Sequence, residues 1–324
     1  MRVYIERIFL AVVAVLDVMM SPLVYLSALL MKFVRVAGVE NLPRSKSALM
    51  RVGVFPVRDH YYEPAFHNAP IRELLSKDRD LPGIDWNTAG QLKLLNSFSY
   101  GHELQDVPLK QVNGDEFYME NLTFESGDAE YWYSMIRHAK PRRIVEIGSG
   151  FSTRMARRAL AANRRTDPAY ECEHILIEPY ENEWLEQIDG VTVIREKVED
   201  CDVSIFKDLA ANDILFIDSS HIIRPHGDVV FEYLQLLPQI NDGVIVHIHD
   251  IFSPKNYPAP WVVDQVKFWN EQYLLEAFLT SNSDWKVIGA LNFLKHHHYD
   301  DLKATCLFLS EDREPGSFYI QRTG

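Results

Sequence analysis

The sequence predicts a folded globule of the α/β class with a mostly parallel sheet. From about residue 140 onward, short β-branched runs alternate with stretches of helical periodicity, as in βαβ units. Several of these runs end in glycine, acidic residues or histidine, which suits the binding edge of an open α/β sheet. The composition, 47% hydrophobic and 24% charged, is that of an ordinary folded globule.

Seven strands with intervening helices are expected in this part of the chain. The strands are predicted at 143–147, 174–178, 191–195, 213–218, 243–248, 285–288 and 317–320, and the main helices at 152–162, 227–237 and 261–279. Helices should cover both faces of the sheet. The chain is expected to divide into an apolar N-terminal segment (1–35), a cap or substrate region (36–135) and a cofactor-binding domain (136–324).

The N-terminal segment is long and apolar enough to enter a membrane. Residues 8–31 carry Asp17 as their only charge, and at about 1.5 Å per residue they would cross a bilayer as one helix. Pro22 at the centre should break that helix, and basic residues, which favour the cytoplasmic side, flank both ends: Arg2, Arg7, Lys32 and Arg35. We therefore predict a helical hairpin in the cytoplasmic face of the inner (plasma) membrane. A kinked single span, a signal peptide and a buried helix pair are the alternatives.

Charge and cysteine usage exclude several classes. The formal net charge is −13, from 46 acidic and 33 basic residues, which argues against a nucleic-acid partner. Cys172, Cys201 and Cys306 lie far apart without zinc-ligand spacing. They are expected to be small buried residues.

A glycine-rich turn, Gly148-Ser149-Gly150, follows the first predicted strand and leads into Thr153. Its two glycines would let the backbone approach a ligand closely. No Gly-Lys-Ser/Thr follows, as a phosphate loop requires, and no third glycine stands where a dinucleotide fingerprint needs it. Glu146, which precedes the turn, is expected to accept a hydrogen bond from the cationic amino-acid end of a sulfonium nucleoside.

Two further acids continue this expected cofactor site. Glu178 follows the second strand, where a carboxylate can accept both ribose hydroxyls. Glu199 lies after the third strand, where such folds contact adenine. An ordinary surface position is the alternative for each.

Polar side chains also follow the fourth and fifth strands. Asp218 and His221 come after the fourth, and His249 and Asp250 after the fifth. Because neighbouring parallel strands end at one edge, these side chains should converge on a crevice. We expect at least one of the histidines to have a functional role.

The chain resembles the class I, Rossmann-like methyltransferases of methyltransferase family 24 over about residues 125–324. The resemblance rests on Glu146–Gly150, Ile217–His221, Asp228, His249–Phe252 and Gly316–Ile320. It implies S-adenosylmethionine as cofactor, and sugars or hydroxylated metabolites as acceptors. Related enzymes bind Mg²⁺ through acids at the positions of Asp218 and Asp250. Here Ile251 follows Asp250, where the metal-dependent pattern has Asp-Asn, so a divalent metal stays open. The stretch Arg7–Lys32 resembles the re-entrant segment of monotopic phosphoglycosyl transferases.

These features predict O-methylation of a hydroxyl on a sugar or lipid-linked envelope glycan. His221, or else His249, would be the general base, with Asp218 and Asp250 orienting the histidine or a bound metal. Residues 59–64 and Phe117-Tyr118 are candidate acceptor contacts. A dinucleotide-dependent epimerase or reductase and a non-catalytic membrane scaffold are the alternatives. The sequence does not define an oligomeric state.

Overall fold

The computed structural model describes residues 2–60, 62–64, 71–112, 114, 116–180 and 182–324. It divides into two compact units, Met1–Ile71 and Arg72–Gly324. The division falls at neither of the boundaries expected after residues 35 and 135. Residues such as Leu95 and Phe117 share a core with the sheet of the second unit, so that much of the expected cap region belongs to this unit.

The first unit begins with one uninterrupted helix, α1 (Arg2–Ala37), and the predicted hairpin is therefore wrong. Proline at position 22 removes the N–H that would bind the carbonyl of Val18. The Ser21 hydroxyl donates to that same carbonyl over 3.0 Å, so the helix continues without an orphaned acceptor. Within α1, Phe9–Ala37 is long and apolar enough to cross a membrane, by length and composition alone.

The remainder of the first unit contains α2 (Pro43–Val52) and an ion-pair cluster. Glu63 accepts from Arg35 over 2.7 Å and from Arg58 over 3.1 Å. Among the expected acceptor contacts at 59–64, Tyr61 lies outside the described residues.

The second unit is built on a seven-stranded sheet, as predicted. The strand order is β3-β2-β1-β4-β5-β7-β6. Only β7 runs against its neighbours; the other pairs are parallel. The strands are β1 (Arg143–Ile147), β2 (Glu173–Ile177), β3 (Thr192–Ile194), β4 (Ile214–Ile217), β5 (Ile245–Ile248), β6 (Trp285–Ala290) and β7 (Phe318–Arg322).

Both faces of this sheet are covered, because alternate residues of the strands enter different cores. In β1, Ile144 belongs to one hydrophobic cluster, whereas Val145 and Ile147 belong to the other. The helices of this unit are α3 (Ile71–Leu75, which begins at the division), α4 (Thr88–Leu95), α5 (Asp128–Ala139), α6 (Phe151–Thr166), α7 (Ser204–Lys207), α8 (Asp228–Phe231), α9 (Glu271–Leu279), α10 (Leu291–His297) and α11 (Tyr299–Thr305). The three cysteines are free and buried, as predicted.

The single long helix predicted over 261–279 is wrong. A short π-helical turn, Pro260–Asp264, is followed by a break, and α9 begins only at Glu271. The backbone N–H groups of Asn270 and Glu271 both donate to the carbonyl of His221, over 2.9 and 3.2 Å. These bonds fix the start of α9 beside the end of β4, which matters for the site.

Candidate active site

The turn after β1 brings its backbone against the end of β4. Gly148 has a φ of +77°, and a Cβ at this position would lie 2.0 Å from the carbonyl oxygen of Asp218. Glycine is therefore required both by the torsion and by the close approach. Gly150 is under neither constraint, because its φ is −179° and the nearest atom to an added Cβ would be Asn182 Nδ2 at 3.6 Å.

Glu146 lies beneath this turn and is fully buried. Its Oε2 accepts hydrogen bonds from the hydroxyls of Thr153, over 2.7 Å, and Ser152, over 3.2 Å. Its Oε1 lies 2.8 Å from Nε2 of His174 in β2. Both oxygens therefore have partners within the protein, and these differ from the cofactor group expected of this residue. The buried pair Glu146 and Thr153 stabilises the turn from below, since Thr153 also accepts the N–H of Gly150.

A cavity of about 470 Å³ opens above the turn, between the ends of β1, β2 and β4. Its volume is in the range of small-molecule sites. Gly148, Glu178, Glu199 and Asp218 line it, together with Tyr180 and Arg224. The sequence thus identified four residues of this cavity. Their expected roles toward a cofactor stay predictions.

Ser149 connects the turn to the Glu178 carboxylate. Its N–H donates to Glu178 Oε2 over 3.4 Å, while Glu178 Oε1 accepts the N–H of Tyr180 over 3.1 Å. The Ser149 hydroxyl is buried and makes no hydrogen bond to the described part of the chain. A buried hydroxyl without a protein partner is an indication of a missing ligand or solvent contact.

The ends of β4 and β5 bring Asp218, His221 and Asp250 together, as predicted. His221 Nε2 lies 3.3 Å from Asp218 Oδ1 and 3.7 Å from Asp250 Oδ2. One ligand atom from each of the three can lie within 4.8 Å of the others, a spacing that a metal ion could bridge. His221 and Asp250 both have a φ of +59°, so the chain turns sharply at each position.

The imidazole of His221 also contacts the carboxylate of Glu271, a residue that the sequence analysis missed. Its Nδ1 lies 2.8 Å from Glu271 Oε2, and the other carboxylate oxygen accepts from the Tyr233 hydroxyl over 3.0 Å. This pairing directs Nε2 into the crevice, because Nδ1 is already engaged. Glu271 follows the strand end by about fifty positions, and no local motif marks it. In the sequence Glu271 lies inside the helix predicted over 261–279, so its position at the start of α9 could not be read from the pattern.

Two more buried groups complete the crevice. His249 Nδ1 lies 3.5 Å from Asp218 Oδ1, and its Nε2 lies 3.7 Å from Asp128 Oδ2. Asp128 accepts the backbone N–H groups of Gly316 and Ser317. His247, in contrast, points into the core and lies 2.8 Å from the Ser317 hydroxyl.

The carboxylates around His221 and His249 outnumber these two imidazoles, and this shifts the pKa values of the crevice. Burial opposes the charged form of His221, but hydrogen bonds to Asp218 and Glu271 outweigh it and raise the pKa of His221 to about 10. Burial is likewise outweighed at His249, whose pKa is raised by Asp250 and Asp218. Burial also disfavours a charged Asp218, yet the charges of His249 and His221 hold its pKa well below the ordinary value. Before any cationic ligand enters, the histidines supply the positive charge of the site.

The remaining candidate contacts, Phe117 and Tyr118, pack edge-on against Phe151 at the start of α6. Their ring centroids lie 6.0 and 5.2 Å from that of Phe151. Both rings therefore pack on α6, and their role as acceptor contacts stays a prediction.

The sheet order, the glycine turn and the polar strand ends together define a class I, Rossmann-like methyltransferase. Residues 145–251 match the family model described as a methyltransferase domain. A protein of Archaeoglobus fulgidus described as uncharacterized is 33% identical over 184 residues, which cover 53% of this chain and 81% of that protein. The chain belongs to the same family as this archaeal protein, and it is a methyltransferase.

Two solved structures show more distant similarity. The O-methyltransferase TomG of Streptomyces achromogenes, involved in tomaymycin synthesis and in complex with SAM, is 16% identical; the match covers 74% of this chain and 97% of that one, with a TM-score of 0.37. An O-methyltransferase of Bacillus cereus in complex with SAH is 12% identical; the match covers 78% and 95%, with a TM-score of 0.36.

Proposed function

We propose that this chain transfers the methyl group of S-adenosylmethionine to a hydroxyl group of a saccharide. One observation carries the proposal: a nucleoside-sized cavity at the glycine turn meets a buried imidazole, His221, which Glu271 directs into a crevice of carboxylates. Asp218 belongs to both. The cofactor and the reacting hydroxyl would therefore meet beside this residue.

The residues of the cavity fit S-adenosylmethionine. Gly148 brings the end of β1 against the Asp218 backbone at the wall of the cavity, and the N–H of Ser149 donates to the Glu178 carboxylate that lines it. Glu178 is suited to the ribose hydroxyls and Glu199 to the adenine side of the cavity. The carboxylates of Glu178, Glu199 and Asp218 line the cavity, and they suit a sulfonium cation but would repel a pyrophosphate. This disfavours a dinucleotide-dependent epimerase or reductase.

The chain's own residues would position the acceptor and accept its proton. The cofactor supplies a methyl group that is already electrophilic, so alignment and proton removal are the main tasks of the protein. His221 Nε2 faces the crevice and is the proposed base. Because Asp218 and Glu271 hold a proton on His221, this role requires a cationic ligand beside the carboxylates of the crevice, which would lower the pKa of the imidazole.

A divalent metal is a second candidate for that positive charge. Asp218, Asp250 and His221 could all supply ligand atoms, although a mixed carboxylate and imidazole set suits Mn, Fe or Zn better than Mg²⁺. If Nε2 of His221 binds a metal, His249 is the remaining candidate for the base.

A titration with S-adenosylmethionine, followed by single-turnover assays with candidate saccharides, tests this proposal. We expect His221→Ala to lower turnover by about 10²-fold or more, as for loss of a general base. Cofactor affinity should be retained or increased, because His221 does not line the cofactor cavity and its removal takes away a positive charge that opposes the sulfonium. Glu271→Gln should reduce kcat and leave KM nearly unchanged. Wild-type turnover in His221→Ala would remove this residue as the base, and binding of NAD instead of S-adenosylmethionine would refute the proposed cofactor.

We also propose that α1 attaches the enzyme to the cytoplasmic face of the inner (plasma) membrane, where a lipid-linked or envelope saccharide would be the acceptor. The apolar stretch Phe9–Ala37 supports this, since none of its most apolar window is buried. Basic residues are more numerous after the apolar core, at Lys32, Arg35, Arg44, Lys46 and Arg51, than before it, which favours a cytoplasmic C-terminal side. Flotation with phospholipid vesicles measures the attachment.

A further inference from the structure

The segment between β5 and α9 carries two indole rings with an ammonium group between them. The ring centroids of Trp261 and Trp269 lie 5.1 Å apart in an edge-to-face arrangement. Lys267 Nζ lies 4.2 Å from the centroid of Trp261 and 3.8 Å from that of Trp269. We call these three residues the indole–lysine platform. All three are half-buried, so each also presents part of its surface to solvent.

The platform adjoins the reacting crevice. The ring centroid of Trp269 lies 4.2 Å from that of His221, which is direct contact between the two side chains. The following residue, Asn270, donates its N–H to the His221 carbonyl and accepts the N–H of Ile223 at its side-chain oxygen, over 2.6 Å. The position of the platform relative to the proposed base is therefore fixed by hydrogen bonds.

The local structure is not what a packing role alone would produce. The periodicity of this stretch predicts a continuous helix, but the chain breaks at Val266, whose φ of +53° is unfavourable for a β-branched residue. Val266 and Phe268 are 45% and 37% exposed, so the break is not compensated by their burial. Strained, partly exposed backbone next to a reacting group is typical of a ligand site.

The charge on Lys267 is the second independent observation. No carboxylate within the described ranges forms an ion pair with Lys267 Nζ, whereas nearby Asp264 is paired with Arg72. The crevice itself is lined by Asp218 and Asp250, and it would repel an anion. A cation outside the crevice could bind an anionic group while a neutral hydroxyl of the same molecule reaches His221.

We propose that the indole–lysine platform binds the acceptor, and that this acceptor is a saccharide with an anionic substituent. The apolar face of the sugar ring would pack on an indole, and a carboxylate or phosphate would bind Lys267 Nζ. The inference rests on the proposed methyl transfer to a saccharide and narrows it to acidic sugars or sugar phosphates. Trp261 and Lys267 would then determine specificity without touching the cofactor.

Ligand-observed NMR titrations on the full chain in detergent micelles test this inference, with D-glucuronate, glucose 6-phosphate, D-glucose and inorganic phosphate as probes. We expect one or both anionic sugars to bind about fivefold more tightly than D-glucose and than inorganic phosphate, the effect of one half-exposed charge contact. The two anionic sugars distinguish a carboxylate from a phosphate as the preferred group.

Lys267→Met keeps an unbranched side chain over the indoles and should abolish the preference for the anionic sugars. Trp261→Leu should weaken all sugars. The matched control is Lys286→Met, at an exposed lysine of β6 away from the platform. The inference would be overturned if D-glucose and both anionic sugars bound equally, or if Lys267→Met kept the preference for anionic sugars. Binding of inorganic phosphate as tight as that of the sugars would also overturn it. S-adenosylmethionine titrations on the same samples separate the two proposals. If the wild-type chain does not bind the cofactor, the proposed methyl transfer is refuted. If it binds the cofactor but shows no preference for anionic sugars, only the platform is refuted.

Discussion

Gly148→Ala should weaken cofactor binding through a displacement that the structure specifies. The added Cβ would lie 2.0 Å from the Asp218 carbonyl oxygen, whereas ordinary contact begins at 3.4 Å, so that the two chain segments would have to separate by 1.4 Å (3.4 − 2.0). Neither partner is a flexible side-chain end, because both atoms belong to or adjoin the backbone. Gly148 and Asp218 both line the cofactor cavity, and the separation would reshape it.

Two costs of this substitution can be estimated. A side chain at a φ of +77° costs about 1–2 kcal/mol, and a displacement of about 1 Å in a positioned site reduces its function by about 10²-fold. We therefore expect the affinity for S-adenosylmethionine to fall by about 100-fold. The folded chain should lose about 2–5 kcal/mol of stability, when the torsional cost is combined with the overlap at the Asp218 backbone.

The matched control lies two residues away in the same turn. Gly150→Ala would bring its Cβ no closer than 3.6 Å to its nearest neighbour, Asn182 Nδ2, and its φ is one that alanine adopts. Calorimetric titration and thermal unfolding of both variants measure the difference, and circular dichroism establishes that Gly148→Ala is folded. If Gly148→Ala binds the cofactor within about threefold of wild type, or if Gly150→Ala loses as much affinity, then the close approach of β1 and β4 does not define the site.

Two further predictions concern the pH dependence of stability at Glu130 and the membrane attachment of α1. Burial raises the pKa of Glu130 to about 7, so the native state binds more protons than the unfolded state between about pH 4.5 and 7, and stability falls as the pH rises through this window. Glu130→Gln should reduce that fall by up to about 3 kcal/mol in urea unfolding at pH 5 and pH 8, and parallel curves for the two proteins would contradict it. Leu23→Arg in α1 should greatly reduce flotation with phospholipid vesicles, since arginine within an apolar helix costs about 2.5–3.5 kcal/mol. Equal flotation of Leu23→Arg and its control Leu122→Arg, at an exposed leucine of the second unit, would count against α1 as the membrane anchor.

The parts of the fold that the sequence predicted well depend on short-range patterns. The seven strands were located because β-branched runs and polar strand ends are local signals, and parallel neighbours necessarily end at one edge. This rule was sufficient to bring Asp218, His221 and Asp250 together. It also predicted Gly148 and Glu178 in one cavity.

The differences arise where a distant partner changes the local outcome. Glu146 has the strand-end position expected of a cofactor contact, but the register of β1 with β2 places His174 beside it, and the carboxylate is directed beneath the turn. The helix predicted from 261 is interrupted because the His221 carbonyl takes two of the N–H groups at the start of α9. At Pro22 a single hydroxyl, from Ser21, compensates for the missing backbone donor. Each of these effects depends on one hydrogen bond or pair whose geometry no residue pattern encodes.

The distribution of charge connects the two proposals. Asp128, Asp218, Asp250 and Glu271 lie around the imidazoles of His221 and His249, and closely spaced carboxylates are stabilised by a compensating positive charge. A sulfonium cofactor or a divalent cation supplies that charge, whereas an acidic acceptor would add to the excess of negative charge. The platform provides a separate location for the acceptor's anion, on Lys267 and outside the carboxylate cluster, so that only the hydroxyl to be methylated has to approach His221. Because the acidic crevice favours a cationic cofactor and repels anions, an acidic acceptor has to be bound through its anionic group at a site outside the crevice.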